Sequence, residues 1–416
     1  MKKTVISLVA VAALASSAFA ANSVSEAFAN GKVSGNAYFR FASASNSGDQ
    51  VTNKANWKVN NKGESKEVKT STWSLATLGI NYSTASVYGL SLNAGFMGYA
   101  PVYQDEWNSA RKSGGASGTD SLMAVSNLQF SNKLVTVKAG RQAVGLEWLT
   151  HYIQGVTAVV NVPMTQIVLG WATQRSGSSN ATNRMKQFAS VYGNGNGGAV
   201  YAVEATVTPM KLFNVKGYFY DAPTKTLLVG ENAGGKAGFS AYGLNATVNA
   251  GPLSVTGKYA GTSENGENSK GVKAKNGSFM ALIAAVSVPV NKLTLGVDGG
   301  YAMAGKDNGS GSLGSLGDST NPFDDGSDFY NADAKSFWVN ASVGVSAIAA
   351  NLRYGSTSLP SSAGEDEINV GVSYAGIKNT TLGISYDNLN YKKGATGANN
   401  EGLKNNTFKF DASYSF

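Results

Sequence analysis

The 416-residue chain carries 34 Lys and Arg against 26 Asp and Glu, a formal net charge of +8, and contains no cysteine. The basic residues are dispersed and form no cluster, which argues against nucleic-acid binding, and the lack of cysteine excludes disulfide bonds and a cysteine nucleophile. With 50 glycines, 8 prolines and 10% aromatic residues, the composition suits strands and turns better than helices.

The N-terminal segment has the pattern of a secretory signal peptide. Lys2 and Lys3 precede a short apolar stretch over residues 4–15, and Ala18-Phe19-Ala20 forms an A-x-A cleavage site. This run is shorter than a membrane-spanning helix, and no other run of about 18 apolar residues follows. We predict a cleaved signal peptide over 1–20 and a single mature domain over 21–416.

The mature chain alternates between apolar and polar residues in segments of about ten. In residues 33–41, Val33, Phe39 and Phe41 share one side, while Ser34 and Arg40 take the other. The other segments are 72–83, 87–99, 121–131, 133–141, 155–162, 164–174, 198–208, 212–221, 238–248, 253–260, 278–288, 293–301, 337–345, 348–357, 366–375, 381–392 and 407–416. The pattern predicts an all-β fold of about 18 strands, with 16 as the alternative.

The predicted connections alternate in length. Short turns, such as 84–86 and 209–211, alternate with long polar loops, such as 100–120 and 305–335. This is typical of a transmembrane up-and-down antiparallel β-barrel with short periplasmic turns and long external loops.

The segment 407–416 places four aromatic side chains on one face: Phe408, Phe410, Tyr414 and Phe416. A strand with one apolar and one polar face suits a position between lipid and a watery lumen. Its aromatic end resembles the assembly signal of bacterial outer-membrane barrels. The alternative is a hairpin strand of a soluble sandwich.

The predicted inward face is made of small and charged residues. A barrel of about 16–18 strands leaves water inside, and side chains such as Thr77, Ser91 and Asn93 are too small to fill it. The charges predicted to line the pore are basic Arg40, Lys138, Lys216, Lys258 and Arg353, with Arg141 at a strand end, and acidic Glu204 and Asp298. Lys409, Glu367, Asp387 and Asp411 also fall on this face. The signs nearly balance and leave anion or cation preference open, and each single charge has the alternative of a solvated residue without selective effect.

Three stretches resemble a known family. The N-terminal SVSEAF (residues 23–28) and GKVSG (residues 31–35) resemble the mature start of the Campylobacter-type major outer membrane porins. VTVKAGRQ (residues 135–142) resembles a strand end of those porins and of their OprD-type relatives.

The resemblance implies a porin of about 18 strands, commonly trimeric, whose third external loop folds inward as a constriction. On the predicted strand map that loop is residues 142–154, which would bring Glu147, Trp148, His151 and Tyr152 to the solute. We therefore expect a homotrimeric porin in the outer membrane of a Gram-negative bacterium that passes ions and small hydrophilic solutes without a cofactor.

Two other features have competing interpretations. Asp324, Asp325 and Asp328 offer oxygen ligands for calcium, but the spacing and closing Glu of an EF-hand are missing, and a solvated acidic loop is favoured. His151 could act as a general base, but the sequence contains no G-x-S-x-G nucleophile motif, which argues against an enzyme. The competing functions are a substrate-specific channel of the same fold, a closed barrel acting as an adhesin or structural protein, and a soluble secreted β-sandwich.

Overall fold

The computed structural model describes residues 21–48, 57–59, 65–67, 70–104, 118–119, 121–176, 185–186, 189–190, 198–226, 236–267, 271–308, 320–324, 328–360, 364–392 and 403–416. The predicted signal peptide lies outside these residues. The described helical segments are α1, Val24–Ala29, and a 3-10 turn, Asp328–Tyr330. In these parts of the chain, no helix has the length and apolar character needed to cross a membrane.

Eighteen long strands form one antiparallel sheet in the described chain. They are β1 Lys32–Gly48, β2 Thr70–Ser83, β3 Leu90–Gln104, β4 Ser121–Ser131, β5 Val135–Gly145, β6 Thr150–Val162, β7 Thr165–Ser176, β8 Val200–Met210, β9 Phe213–Thr226, β10 Lys236–Ala250, β11 Leu253–Glu264, β12 Ser278–Val290, β13 Leu293–Ala304, β14 Lys335–Val345, β15 Ile348–Ser358, β16 Glu365–Tyr374, β17 Thr380–Tyr391 and β18 Leu403–Ser415. A two-residue strand, Ala189–Ser190, pairs with β7 as a nineteenth member.

The sheet closes on itself because β1 pairs with both β2 and β18. At the end of this seam, Gly35 and Phe416 exchange two backbone hydrogen bonds of 2.8 and 2.9 Å. A closed sheet has no free edge that could pair with another chain. The predicted all-β barrel of 18 antiparallel strands is confirmed.

The two faces of the barrel follow the predicted alternation. The outward row of β2, Leu78 and Ile80, is exposed, whereas inward Thr77 is buried. In β18, Phe408, Tyr414 and Phe416 are exposed on the outside, and half-buried Phe410 lies 6.4 Å from the ring of Phe39. Large apolar side chains therefore cover the outer wall.

One connection differs from its prediction. The loop expected over 142–154 is reduced to residues 146–149, because β5 continues to Gly145 and β6 begins at Thr150. Beyond the register pair Ser126 and Arg141, β5 no longer pairs with β4 and continues with β6 alone. The extra residues thus belong to a hairpin that leaves the barrel wall.

The short helix α1 lies at the rim that carries the short turns. The hydroxyl of Ser23 caps it by accepting a hydrogen bond from the Glu26 amide at 3.1 Å. Ala27 is buried against Ala85 in the connection between β2 and β3. The alternation pattern predicts no helix here.

Candidate functional site

The tip of the β5–β6 hairpin lies inside the barrel, between opposite walls. Tyr152 packs against an apolar cluster of inward side chains from β1–β4 that includes Tyr38 and Trp73. From the same hairpin, Leu149 and Ile153 are fully buried in a second cluster with residues of β8–β10. The hairpin tip therefore narrows the lumen.

Aromatic side chains of β9 hold the hairpin tip on one wall. The Trp148 ring lies 6.3 Å from that of Tyr218 and 6.5 Å from that of Tyr220. The Trp148 amide donates a hydrogen bond of 3.1 Å to the Tyr220 hydroxyl, which in turn donates to Glu204. The chain after β5 is thus fixed by both stacking and hydrogen bonds.

Glu147 forms the charged centre of this contact. Its carboxylate lies 2.8 Å from the ammonium of Lys216 and 3.0 Å from that of Lys258, and only 6% of its side chain is exposed. Its amide donates a 2.5 Å hydrogen bond to Glu204, which lies 3.6 Å from Lys216. Burial by itself raises the pKa of Glu147, but the two ammonium groups outweigh it and lower the pKa to about 2. The carboxylate is therefore ionised at neutral pH.

A second segment, between β13 and β14, also packs inside the barrel. Phe323 and Phe329 are buried with Trp338, an inward residue of β14. Two backbone amides attach this segment to the barrel wall. The Asp324 amide donates a 2.9 Å hydrogen bond to the buried carboxylate of Glu367, and the Asp328 amide donates a 3.0 Å hydrogen bond to that of Glu365.

Lys258 touches both inward segments. Its ammonium donates to Glu147 at 3.0 Å and to the hydroxyl of Thr320 at 2.9 Å. Glu147 belongs to the hairpin tip, and Thr320 to the second segment. We call these three residues the lysine bridge.

Further ion pairs line the inner wall near the seam. Arg40 binds Asp411 through two hydrogen bonds, of 2.6 Å from Nε and 2.8 Å from Nη2, and Lys409 lies 2.8 Å from the buried Asp387. Each pair joins neighbouring strands, so positive and negative charges alternate across β17, β18 and β1.

The structure brings together some of the predicted pore-lining residues and separates others. Glu147, Trp148, Glu204, Lys216 and Lys258 form one contact network. Elsewhere on the inner wall, Arg353 lies 2.7 Å from Glu367, and Asp298 accepts a 2.8 Å hydrogen bond from Asn340. Their roles toward a solute stay predictions.

Three predicted residues lie apart from this network. Lys138 faces inward and has no ion-pair partner in the described chain. Arg141 lies on the opposite face of β5 and donates to Gln154 at 3.2 Å. His151 is exposed, with a positive φ of 73°.

The aspartate-rich loop departs from the favoured interpretation of a solvated segment at Asp324, whereas Asp333 of the same loop is exposed. Asp324 lies 3.5 Å from Arg353 with 10% of its side chain exposed, and Asp328 accepts a 2.7 Å hydrogen bond from Asn331. Asp325 lies outside the described residues. No group of three or more acidic or histidine side chains in the described chain has the geometry for a metal ion.

Several residues of the site are not among those predicted from the sequence. Tyr218 and Tyr220 fall on the inward face of β9, and alternation alone would have placed them there beside Lys216. Thr320 carries no such signal, because its role depends on where the segment between β13 and β14 turns inward. Glu365 stands two residues before Glu367, so alternation would have placed it on the inward face as well.

No protein-family model matches the chain, and no curated protein matches it either. Solved structures do. Pseudomonas aeruginosa OpdQ is 12% identical with a TM-score of 0.61, over 94% of this chain and 99% of that one. Acinetobacter baumannii OccAB4 is 13% identical with a TM-score of 0.61, over 92% and 98%. Pseudomonas aeruginosa OpdK with vanillate is 11% identical with a TM-score of 0.62, over 92% and 98%. The chain therefore shares the barrel fold of these Opd and Occ structures along nearly its whole length.

Proposed function

We propose that this protein is an outer-membrane porin that lets ions and small hydrophilic solutes diffuse passively. The observation that carries the proposal is the inverted distribution of side chains: apolar residues cover the outer wall, and paired charges line the inner one. A barrel in water would gain nothing from an outward apolar band, whereas a lipid bilayer requires one.

Strand length supports the membrane setting. Strands such as β14 and β15 have 11 residues. At about 3.3 Å per residue and a tilt of about 40°, such a strand rises roughly 25–30 Å along the membrane normal, close to the apolar thickness of a bilayer.

The similar structures support the same location and partners. They are outer-membrane channels of the OprD and Occ type from Gram-negative bacteria, which pass small solutes. For this chain we propose the same membrane, export through a cleaved signal peptide, and a homotrimer. The finer likeness to Campylobacter-type porins rests on the sequence motifs of residues 23–35 and 135–142.

The lysine bridge defines the proposed constriction. Around it, Glu147 and Glu204 face Lys216 and Lys258 at 2.8 to 3.6 Å, so two negative charges meet two positive ones. Fixed charges of both signs at a narrow point give little net preference for either ion. We propose a weakly selective pore.

A substrate-specific channel is the second candidate, and one observation favours it. The hairpin tip and the second inward segment meet at Lys258, whose ammonium lies 3.0 Å from Glu147 and 2.9 Å from Thr320. A contact this tight discriminates between solutes more strongly than a wide pore does. One of the similar structures is that of OpdK with vanillate.

Planar-bilayer recording together with liposome swelling tests both candidates. A general porin gives stable conductance steps and swelling rates that fall smoothly with solute size. A substrate-specific channel gives steps but swells rapidly with one chemical class only. The absence of steps from folded protein would refute both and favour the closed adhesin or structural barrel.

A further inference from the structure

The helix α1 presents an apolar face that stays largely exposed among the described residues. Val24 and Phe28, one turn apart, are 66% and 50% exposed. Residues spaced by four share one side of a helix, so the two side chains point in the same direction.

An adjacent side of α1 is fixed to the barrel. Ala27 is only 3% exposed, and its carbonyl accepts a 3.0 Å hydrogen bond from the Ala85 amide. The Ala21 amide donates to the Ser86 carbonyl at 2.7 Å. The exposed face is therefore held at a definite place on the short-turn rim.

Phe28 continues the outer wall of the barrel. Its ring stacks on that of Tyr82 with centroids 6.4 Å apart and an angle of 22°, and the Tyr82 hydroxyl donates to the Phe28 carbonyl at 2.5 Å. Tyr82 ends the outward row of β2 that contains Leu78 and Ile80. The helix face thus extends this row beyond the end of the strand.

Neighbouring exposed residues make the surface continuous. Val33 of β1 is 61% exposed and stands directly opposite Tyr82 in the strand register. Tyr88, in the connection between β2 and β3, is 89% exposed. Aromatic and apolar side chains at the rim of a membrane barrel are typical of the lipid interface.

We propose that α1 is a membrane-interface anchor, with Val24 and Phe28 inserted at the boundary between headgroups and acyl chains on the short-turn side. This inference rests on the proposed function, because it requires the barrel to stand in a bilayer. We assign lipid to the face of Val24 and Phe28 because this face and the lipid-facing row of β2 form one continuous surface. The bilayer that covers the row of β2 then also covers the helix face. The polar residues Asn22, Glu26 and Asn30 lie off this face, toward water.

Because the chain contains no cysteine, a single nitroxide label tests the proposal. Val24→Cys, Ala29→Cys and Leu128→Cys are labelled and placed in vesicles of phosphatidylethanolamine and phosphatidylglycerol. Ala29 is the matched control, since it is exposed on the same helix but about 140° around the axis from Val24. Leu128 is exposed on the outer face of β4 and reports on the barrel itself.

The measurement is the ratio of label collisions with oxygen, which concentrates in lipid, to those with a water-soluble nickel chelate. We expect a ratio several-fold higher at position 24 than at position 29, and highest at position 128. Equal low ratios at 24 and 29 with a high ratio at 128 overturn the anchor and leave the porin intact. A low ratio at 128 overturns the membrane barrel itself. Protection of position 24 from both reagents would mean that protein covers the face, and would refute the lipid assignment.

Discussion

Replacing the lysine of the lysine bridge should loosen the proposed constriction. Lys258→Met removes the ammonium from a side chain that is 12% exposed and keeps most of its aliphatic length. The hairpin tip and the Thr320 segment then lose the group that joins them. We expect higher single-channel conductance and more frequent open-state fluctuations in planar bilayers.

The loss of stability in Lys258→Met depends on the partners that Glu147 keeps. Removing one member of a buried ion pair costs about 3–5 kcal/mol when the other charge is left alone. Glu147 keeps Lys216 at 2.8 Å. We therefore expect the smaller loss of about 1–3 kcal/mol that accompanies a buried acceptor without its donor. Urea unfolding in vesicles, followed by tryptophan fluorescence, measures it.

Lys138→Met is the matched control. It removes the same charge from the same wall, but Lys138 has no ion-pair partner in the described chain. Its conductance steps and unfolding midpoint should stay close to those of the wild type. If the two variants behave alike in both assays, the lysine bridge does not hold the two inward segments together.

Three further predictions concern the same region. Glu147→Gln should shift the reversal potential in a salt gradient toward anions, because Lys216 and Lys258 lose a common counter-charge; an unchanged potential would count against its place at the constriction. The stabilisation from Glu147, whose pKa is lowered from 4.5 to about 2, should be complete above pH 4.5 and disappear as the pH falls toward 2, so the unfolding midpoint of wild type should drop over that range more than that of Glu147→Gln. Gly355→Ala should raise conductance, because the ring of Phe323 occupies the space of the added methyl group and would be displaced. Gly344→Ala, also on the lumenal face, should leave the conductance unchanged, because the atom nearest to the added methyl group is 3.8 Å away.

The strands could be predicted from the sequence because the barrel wall separates lipid from water. Successive residues of a strand therefore alternate between apolar side chains toward lipid and polar ones toward the lumen. Even the poorly alternating segments 155–162 and 278–288 lie within strands β6 and β12. The length of the β5–β6 hairpin could not be predicted in this way. Once it leaves the wall, Leu149 and Ile153 are buried, whereas Ala143, Gly145 and His151 stay exposed. The exposed residues there are small or polar, so the apolar row that marks a lipid-facing strand ends.

The site was less accessible to sequence reasoning. The charges were placed on the inward face by alternation, but their partners depend on strand register, as for Arg353 and Glu367. Asp324 resembles any loop aspartate until the barrel brings it to Arg353. The composition of a loop shows how polar it is. It does not show whether its polar side chains bind water or other side chains.

The seam between β1 and β18 has a consequence for biogenesis. Tyr38 and Arg40 meet Asp411 across separations of 373 and 371 residues, so the contact cannot exist until nearly the whole polypeptide has been delivered. Until then the growing sheet has two unsatisfied borders, each able to recruit a foreign strand. Pairing of residues 403–415 with β1 therefore closes both free edges of the sheet in one step. A substitution that prevents this pairing should produce aggregated protein and not a leaky pore.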